Sequence, residues 1–422
     1  MGKIGLPLAV QFARKGHKVF GADIDPESVS LINAGRAPFP NEAHLDEYIP
    51  NEVAAGRLTA TTDTSDAVSA SDVVVVVVPL FVDHEGQPDF SAMDSATADV
   101  ARGLKAGSLV SYETTLPVGT TRNRLLPHLE KGSGLQVDRD FSLVFSPERV
   151  LTGRVFSDLR RYPKLVGGVT TASEVQGLDF YKSVLDFDER PDLPQPNGVW
   201  AMGNSESAEM AKLAETTYRD VNIGLANQFA LYAEANGINI GSVIEACNSQ
   251  PYSHIHNPGI AVGGHCIPVY PRLYLWTDPN ATIVTAARHA NAQMPERTVD
   301  RLEQEMTSLD GTTVVVLGAA YRGGVKETAL SGVFPTARAL QSRGARVLVH
   351  DPLFTDSELQ EISFRPFRRG EHADALILQA DHDEYLAWTP QDVPGVQVAL
   401  DGRAFLSEEV WKPSCTFIRI GN

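Results

Sequence analysis

A glycine-rich loop that ends in a cysteine is the sharpest chemical signal in the sequence. It reads Pro-Gly-Ile-Ala-Val-Gly-Gly-His-Cys-Ile-Pro over residues 258–268 and contains Gly263, Gly264 and Cys266. Glycines let backbone approach a ligand closely, and a thiol at the end of such a loop is positioned as a nucleophile. The alternative is a tight turn with a buried thiol. Lys212, which projects from a predicted helix, supplies a second element that covalent chemistry needs and favours the nucleophile.

Two further polar elements follow predicted strands. Residues 113–120 read Glu-Thr-Thr-Leu-Pro-Val-Gly-Thr and include Thr115, and residues 146–149 read Ser-Pro-Glu-Arg and include Glu148. Ligands of open α/β sheets bind outside the carboxyl ends of the strands. The sequence therefore predicts that both elements line a ligand site.

The first residues have the pattern of the second half of a dinucleotide-binding fingerprint. The run Gly2, Lys3, Ile4 and Gly5 precedes an amphipathic helix and a strand that ends at Asp23. The glycines would let backbone amides approach a pyrophosphate at the helix N-terminus, and the acid would accept the ribose hydroxyls. A carboxylate at this place repels a 2′-phosphate, so the pattern favours NAD over NADP.

A complete fingerprint has a first strand and a leading glycine ahead of Gly2, and the sequence shows neither. In the usual strand order that strand lies at the centre of the sheet, and its two neighbours depend on it for hydrogen bonds. Two interpretations stay open: the true start lies upstream, or the cofactor site is damaged.

Strand and helix patterns alternate toward both ends of the chain, which is typical of parallel sheets with crossover helices. Strands are predicted at residues 17–23, 72–79, 109–113 and 141–146, and again at 313–317, 346–350, 375–378, 396–400 and 416–420. The predicted fold is α/β, with two Rossmann-like doubly wound parallel-sheet domains joined by a long central helix and a helical middle domain. The expected boundaries are 1–200 for the first sheet domain, which carries the dinucleotide-binding pattern, 201–304 for the helical domain and 305–422 for the second sheet domain.

The helical middle begins with a helix predicted from residue 205 to about 235, where Gly237 provides a stop. Apolar residues recur along it at three- and four-residue steps and form one stripe: Met210, Leu213, Thr217, Val221, Leu225, Phe229 and Tyr232. Such a helix would span about 45 Å, more than a compact core requires. We expect a spine that packs against a partner subunit in a homodimer; an ordinary buried helix is the alternative.

Composition excludes several classes of function. The 422 residues carry 36 Lys and Arg against 53 Asp and Glu, a net charge of −17, so nucleic acid is not an expected partner. The longest apolar run, residues 73–82, is interrupted by Pro79 and is too short to span a membrane. Three scattered cysteines and the absence of a signal-peptide pattern favour a reducing cytoplasm and no metal site.

Taken together, these elements resemble the UDP-glucose/GDP-mannose dehydrogenase family of nucleotide-sugar 6-dehydrogenases over nearly the whole chain. The motifs are most similar in style to the UDP-N-acetylmannosamine branch. The resemblance implies oxidation of a sugar C6 alcohol to the acid, with two NAD consumed and a thioester formed on the cysteine. A uronic acid for a surface polysaccharide or a glycosylated metabolite would be the product.

The resemblance also implies that domain 1–200 binds NAD, that domain 305–422 binds the nucleotide sugar, and that particular residues have roles in the chemistry. Cys266 would be the nucleophile, Lys212 would stabilise the oxyanion, Glu148 would handle protons or water, and Thr115 would lie near the nicotinamide and position a water. The residues expected to bind the cofactor are Gly2, Lys3, Ile4, Gly5, Asp23, Pro79 and Thr115. The residues expected to bind the nucleotide sugar are Glu148, Lys212, Asn257, Gly263, Gly264, Arg322 and Arg403, where Arg322 replaces the usual lysine.

Three positions depart from the family pattern. Thr216 stands where an asparagine is common, Tyr270 where an aspartate is common, and Ala329 where an arginine is usual. A tyrosine with a pKa near 10 is a poor base at neutral pH. A working dehydrogenase with a rearranged network is one interpretation. The alternatives are a weakened nucleotide-sugar-binding or regulatory protein, and a dehydrogenase for a TDP- or GDP-hexose.

Overall fold

Two parallel sheets organise the protein, one in each half of the chain. A computed structural model describes residues 1–83 and 86–422, and these divide into two units, Met1–Ala214 and Glu215–Asn422. The division into three domains made from the sequence stays a prediction.

The first unit contains a five-stranded sheet in the order β3-β6-β7-β8-β9. A parallel pair, β1 and β2, and a short antiparallel hairpin, β4 and β5, accompany it. The strands of this unit are β1 Val19–Ala22, β2 Leu58–Thr61, β3 Val73–Val76, β4 Phe81–Val82, β5 Pro88–Asp89, β6 Leu109–Tyr112, β7 Ser142–Phe145, β8 Lys164–Gly168 and β9 Val199–Ala201. The sheet is not wholly parallel as predicted, because β8 runs antiparallel to β7.

The four strands predicted for this region are confirmed with shorter ends. The strands β2, β4, β5, β8 and β9 were not predicted. In β8, which reads Lys-Leu-Val-Gly-Gly, the lysine and both glycines are residue types that are depleted in strands. The helices of the unit are α1 Gly5–Arg14, α2 Pro26–Asn33, α3 Leu45–Ala54, α4 Thr64–Ser69, α5 Ser91–Gly103, α6 Leu126–Ser133, α7 Val155–Arg161 and α8 Thr171–Val184, with a π-helical turn at Thr121–Leu125. α9, Ser205–Ala235, has the predicted bounds.

The predicted apolar stripe of α9 is only partly buried. Leu213 is fully buried, whereas Leu225, Phe229 and Tyr232 are 46%, 39% and 65% exposed. Small residues, Ala226, Ala230 and Ala233 among them, take the buried side of the helix instead. The large apolar side chains therefore form an exposed face, which does not fit the alternative of an ordinary buried helix.

The second unit contains a six-stranded, wholly parallel sheet in the order β12-β11-β10-β13-β14-β15. Its strands are β10 Thr313–Leu317, β11 Arg346–His350, β12 Arg365–Pro366, β13 Ala375–Leu378, β14 Val398–Asp401 and β15 Thr416–Arg419. The predicted strands are confirmed, with the bounds of β14 shifted toward the C-terminus. β12 was missed because it has two residues, one of them a proline.

Helices cover both faces of this second sheet and form the segment before it. They are α10 Ile240–Asn248, α11 Tyr270–Thr277, α12 Thr282–Met306, α13 Val333–Ser342, α14 Asp356–Glu361 and α15 Glu408–Trp411, with 3-10 turns at Asp383–Ala387 and Pro390–Asp392. Within residues 1–83 and 86–422, every helix is too short or too polar to cross a membrane.

Asp351, the acid that directly follows β11, is buried and hydrogen-bonded to nearby parts of the second unit. Asp351 accepts hydrogen bonds from the backbone N–H groups of Ala319 (2.9 Å) and Ala320 (3.0 Å), which follow β10. His382 Nε2 lies 3.1 Å from the same carboxylate oxygen, and both side chains are buried. These contacts hold the pKa of Asp351 below its usual value although burial alone would raise it. The carboxylate therefore stabilises the turn after β10.

Candidate active site

Three predicted site residues meet at one edge of the first sheet. Val76, Tyr112 and Phe145 end three neighbouring strands at the same level, because β3 pairs with β6 and β6 with β7 in parallel register. The segments that leave these strands carry Pro79, Thr115 and Glu148, respectively. The prediction that the polar elements share the carboxyl edge of a sheet is confirmed by this register.

Hydrogen bonds link the segments that follow β3, β6 and β7. Thr114 Oγ1 donates to the carbonyl of Val78 at 2.6 Å, and the N–H of Glu148 donates to the carbonyl of Glu113 at 3.2 Å. Thr115, which directly follows the two residues that make these hydrogen bonds, is buried, whereas Pro79 is exposed. The backbone of the Thr115 segment is therefore fixed by both neighbours.

The loop after Thr115 is also fixed to α9 by a buried carboxylate. Glu209 accepts from the N–H of Gly119 (2.5 Å), the N–H of Thr121 (2.8 Å) and Thr121 Oγ1 (2.6 Å). Burial, opposed by these hydrogen bonds, raises the pKa of Glu209 to about 7. Lys212 lies one turn further along α9 and is 7% exposed. Glu209 thus joins the Thr115 loop to the helix that carries Lys212.

The Glu148 carboxylate contacts a buried lysine. Lys164 Nζ, at the start of β8, lies 3.1 Å from Glu148 Oε2 and 2.9 Å from Glu113 Oε2. Glu148 Oε1 accepts from the N–H of Arg149 at 2.9 Å. Both carboxylate oxygens of Glu148 are therefore engaged, and its orientation is set by the chain around it.

The N-terminal turn fits the pyrophosphate of a dinucleotide. The N–H of Leu6 donates to the carbonyl of Gly2 at 3.1 Å, so α1 starts directly from this turn, and its first turn reads Gly-Leu-Pro-Leu without an acid to oppose a phosphate. A Cβ placed on Gly2 would meet no described atom within 4 Å, which leaves room for backbone to approach a ligand. Lys3 and Ile4 complete the turn.

Asp23 lies beside this turn, as a ribose-binding acid requires. Its carboxylate contacts the amino group of Met1, and its Oδ1 accepts from the N–H of Asp25 at 2.9 Å. The acid is only partly buried, so its oxygens can be reached by hydroxyl groups. Gly2 to Gly5 and Asp23 are therefore the residues that would hold NAD, which supplies the hydride acceptor when bound.

We expect Asp23→Ala to weaken NAD binding by about 1–3 kcal/mol, since a hydrogen bond to a charged acceptor is lost. Titration of NAD by calorimetry measures this change. Asp46→Ala, which removes an exposed carboxylate of α3 in the same unit, serves as the control. Unchanged NAD affinity in Asp23→Ala would contradict the role of this strand end.

The cysteine loop belongs to the second unit and packs closely against Tyr321. A Cβ on Gly263 would come within 2.6 Å of Tyr321 Cβ, and one on Gly264, whose φ is +93°, would come within 3.0 Å of its ring. The N–H of Gly264 donates to the carbonyl of Ala329 at 2.8 Å. Close packing against Tyr321 therefore requires both glycines, and their expected approach to a ligand stays a prediction.

Cys266 follows this tight turn and lies four residues before the start of α11 at Tyr270. Its carbonyl accepts from the N–H groups of Val269 (3.2 Å) and Tyr270 (2.9 Å), which fixes the backbone of the cysteine. The thiol is free and half-buried. A half-buried free thiol on a fixed turn has the access that a nucleophile needs.

Arg403 fastens the cysteine loop to the sheet of the second unit. Its guanidinium donates to the carbonyls of Gln379 (2.7 Å), Tyr321 (3.2 Å) and Ala261 (3.3 Å). Burial lowers the pKa of Arg403, and Asp381 and Asp401 oppose that effect. Arg403 thus has a structural task that the sequence did not reveal, and its expected contact with the nucleotide sugar stays a prediction.

A buried polar network holds the beginning of the same loop. Asn227 Oδ1 of α9 accepts from the N–H of Gly259 at 2.9 Å, and Asn227 Nδ2 donates to Asn291 Oδ1 of α12 at 2.9 Å. Asn291 in turn donates to Asp220 at 2.8 Å, which pairs with Arg288 at 2.7 Å. The loop is therefore anchored at both ends.

The remaining predicted substrate residues are exposed. Asn257 lies just before the cysteine loop, and Arg322 follows Tyr321. In the second unit, Gly263 and Gly264 pack against Tyr321, and the Arg322 guanidinium lies 5.8 Å from the centre of the Tyr321 ring. Thr115, Glu148 and Lys212 belong to the first unit. Among the described residues, no group of His, Cys, Asp and Glu side chains is arranged to hold a metal ion.

Sequence reasoning missed four buried residues that position the site: Glu113, Lys164, Glu209 and Asn227. Glu113 opens the Glu-Thr-Thr element, but its burial is not visible in the motif. A lysine at the start of an apolar run that ends in two glycines was the available signal for Lys164. Asn227 and Glu209 give no comparable signal, because polar residues are ordinary on a long helix.

Comparison with known proteins agrees with this architecture. The UDP-glucose/GDP-mannose dehydrogenase family matches the chain in three parts: its NAD binding domain at residues 1–185, its central domain at 206–293 and its UDP binding domain at 315–408. The chain is 33% identical over 420 residues to the UDP-N-acetyl-D-mannosamine dehydrogenase of Pyrococcus horikoshii, covering 97% of this chain and 95% of that protein.

Solved structures show the same likeness in three dimensions. The UDP-D-ManNAc dehydrogenase structure from Pyrococcus horikoshii has a TM-score of 0.86 and 31% identity, covering 100% of this chain and 97% of that one. A UDP-glucose dehydrogenase from Pyrobaculum islandicum has a TM-score of 0.87 and 25% identity, covering 100% and 96%. The chain therefore belongs to the UDP-glucose/GDP-mannose dehydrogenase family. It is an NAD-dependent nucleotide-sugar dehydrogenase.

Proposed function

We propose that this dehydrogenase oxidises the C6 alcohol of a UDP-hexose or UDP-N-acetylhexosamine to the uronic acid through a thioester on Cys266. The observation that carries the proposal is the half-buried, free thiol of Cys266 on a turn that close packing fixes. A thiolate is the strongest nucleophile among the site residues, and adds readily to an aldehyde.

The chain's own residues have separable tasks in this chemistry. The C6 alcohol first loses its hydroxyl proton and a hydride to become the aldehyde, and this hydride and, after exchange, the second one would pass to bound NAD. The Cys266 sulfur adds to the aldehyde, and its proton passes to the former carbonyl oxygen, which the thiohemiacetal carries as a hydroxyl. Lys212 stabilises negative charge on that oxygen while it forms. Loss of hydride and of the hydroxyl proton gives the thioester, and water then cleaves the carbon–sulfur bond to release the acid and the thiol. Glu148 takes a proton from that water, and Thr115 positions it.

UDP-N-acetylmannosamine is the substrate that we favour. The relatives that match over nearly the whole chain carry the name UDP-N-acetyl-D-mannosamine dehydrogenase. A UDP-glucose dehydrogenase also matches in structure, so the hexose itself must be decided by assay. Asn257 and Arg322, both exposed, are the residues that we propose contact the nucleotide sugar together with Gly263, Gly264 and Arg403.

A panel of nucleotide sugars tests the proposed activity. NADH formation is followed at 340 nm with UDP-N-acetylmannosamine, UDP-N-acetylglucosamine, UDP-glucose, GDP-mannose and a TDP-hexose, and the product is identified by mass. We expect two NADH per uronate with UDP-N-acetylmannosamine. Oxidation that stops at two electrons would contradict the thioester route, and tight binding of UDP-sugar without NADH would favour the regulatory protein.

The exposed face of α9 supports a homodimer, and free thiols at Cys247, Cys266 and Cys415 support the cytoplasm as the compartment. Tyr218, Leu225, Phe229 and Tyr232 follow one another at steps of seven, four and three residues, so they lie on one side of the helix. All four are exposed. We propose that a second copy of the chain covers them.

We expect Phe229→Glu to weaken this association by more than tenfold, about 1.4 kcal/mol or more, because it places a charge in an apolar contact. Light scattering coupled to size exclusion measures the mass. Val175→Glu, on α8 and 52% exposed, is the matched control. A wild-type chain that is monomeric at high micromolar concentration would contradict the dimer.

A further inference from the structure

We propose that Lys164 is a positioning residue that holds the Glu148 carboxylate, and that Glu113 competes for the same ammonium group and so regulates that hold. The inference rests on the proposed role of Glu148 in handling protons. Neither Lys164 nor Glu113 has a place in the chemistry described so far. Their contacts with one another and with Glu148 carry the argument.

The three side chains form one hydrogen-bonded chain. Lys164 Nζ donates to Glu113 Oε2 at 2.9 Å and to Glu148 Oε2 at 3.1 Å. Tyr181 OH of α8 donates to the other oxygen of Glu113 at 2.5 Å and lies 2.7 Å from Ser111 Oγ. The ammonium group therefore bridges a carboxylate of the site and a carboxylate of the core.

Because the three side chains are buried, keeping all of them ionised costs free energy. The Lys164 and Glu113 side chains are 4% and 0% exposed, and Glu148 is 10% exposed. With all three groups ionised, two negative charges share one positive charge away from water, which is costly. Protonation of one carboxyl removes the imbalance. Glu113 is the more deeply buried of the two and already has the Tyr181 hydroxyl as a partner.

The directions in which the pKa values of Glu113 and Lys164 are shifted agree with protonation of Glu113. Burial raises the pKa of Glu113 to about 7. The Lys164 ammonium opposes this effect, and the Glu148 carboxylate adds to it. Burial lowers the pKa of Lys164, but the two carboxylates outweigh it, so the pKa is raised and the group stays an ammonium ion. Groups coupled this closely titrate as a unit. Below about pH 7 Glu113 is protonated, and the Lys164 ammonium pairs with the Glu148 carboxylate alone. Above that pH the ammonium also pairs with the ionised Glu113 carboxylate.

Other ionisable groups around this end of the sheet have their own partners. Arg154 pairs with Asp158 at 3.0 Å and donates to Tyr162 OH at 3.0 Å. Arg149 donates to the carbonyl of Pro163 at 3.3 Å. Tyr181 has its pKa raised well above the ordinary value by burial and by Glu113, so it stays neutral. Glu209 also has its pKa raised to about 7 by burial, but its carboxylate accepts from Gly119 and Thr121. Glu113 is therefore the group with a transition near pH 7 that shares the Lys164 ammonium.

The test compares pH profiles of kcat in the wild type, Lys164→Met, Lys164→Arg and Glu113→Gln. We expect a wild-type inflection near pH 7 to which Glu113 and Glu209 both contribute, and we expect Glu113→Gln to remove the Glu113 part. Lys164→Met should lower kcat by about 10²-fold, the low end of general-base effects. It should also move the inflection to higher pH, because Glu113 loses the ammonium that lowers its pKa. Lys164→Arg keeps the charge and should recover part of kcat.

Two further variants separate positioning from simple loss of stability. Arg57→Met removes the cation that pairs with the buried carboxylate of Glu52 at 2.6 Å, in the same unit, and should leave the profile unchanged. The double variant Lys164→Met with Glu113→Gln avoids stranding a second buried carboxylate. It should fold where Lys164→Met alone does not, and should still lose the roughly 10²-fold in kcat.

A readout that needs no turnover distinguishes this inference from the proposed function. Carboxyl carbon NMR of protein labelled at glutamate, with Glu113→Gln and Glu148→Gln for assignment, should show Glu113 titrating near pH 7 and Glu148 responding at the same pH. Independent titrations, or a Lys164→Met profile identical to the wild type, would overturn the inference. If no nucleotide sugar reduces NAD, the proposed function is overturned. The NMR titration then still tests whether Lys164 couples Glu113 to Glu148.

Discussion

Replacing Cys266 by alanine is expected to abolish uronate formation, with a loss of more than about 10³-fold in turnover, because the thioester cannot form without the sulfur. Binding of the nucleotide sugar should change little, since the backbone of Cys266, not its thiol, accepts the hydrogen bonds from Val269 and Tyr270. Anaerobic product analysis by mass measures the uronate, and calorimetry measures binding.

The other two cysteines provide the control for this experiment. Cys247 lies in α10 and Cys415 lies just before β15, and alanine at either position should leave turnover within about twofold, as expected for substitutions outside the chemistry. Uronate formation near the wild-type rate in Cys266→Ala would remove the covalent route. Equal losses in all three variants would point to folding instead.

Slow cleavage of the thioester is the second large effect that we expect. Thr216 and Tyr270 replace an asparagine and an aspartate of the family pattern, and general-base assistance is worth about 10²–10⁴ in rate. Tyr270 begins α11, and its N–H donates to the carbonyl of Cys266. The wild type should therefore accumulate an adduct on Cys266, visible by intact-protein mass after mixing with NAD and UDP-sugar.

Restoring the family residues tests the cause of this delay. Tyr270→Asp combined with Thr216→Asn should raise turnover and reduce the adduct, because a carboxylate ionised at neutral pH replaces a phenol. Tyr270→Asn, which changes the size without adding a base, is the matched control. Fast wild-type turnover without an adduct would show that Glu148 activates the water without help from positions 216 and 270.

The sequence predicted those strands that are continuous apolar runs and missed the short or polar ones, such as β2, β9 and β12. Val73–Val76 and Thr313–Leu317 need no tertiary information to be recognised. The motif residues Thr115 and Glu148 were also placed correctly at the carboxyl edge of the first sheet, since parallel strands bring their ends together.

What the sequence did not show is which polar side chains are enclosed. Lys164 opens a strand that propensity does not favour, and its two carboxylate partners come from segments 51 and 16 residues away. The same holds for Arg403, whose contact with Ala261 joins residues 142 positions apart. Such pairings depend on packing between distant segments, which the local pattern of a single sequence does not contain.

The enclosed carboxylate at the end of β11 bears on how many cofactor sites the enzyme has. In the first unit the corresponding acid, Asp23, is partly exposed, whereas Asp351 is committed to Ala319, Ala320 and His382. A four-electron oxidation would then draw on one dinucleotide site twice, in succession. In the proposed mechanism, the bond from Cys266 to the half-oxidised sugar would serve as a tether during that exchange, so that the reactive aldehyde would stay on the enzyme.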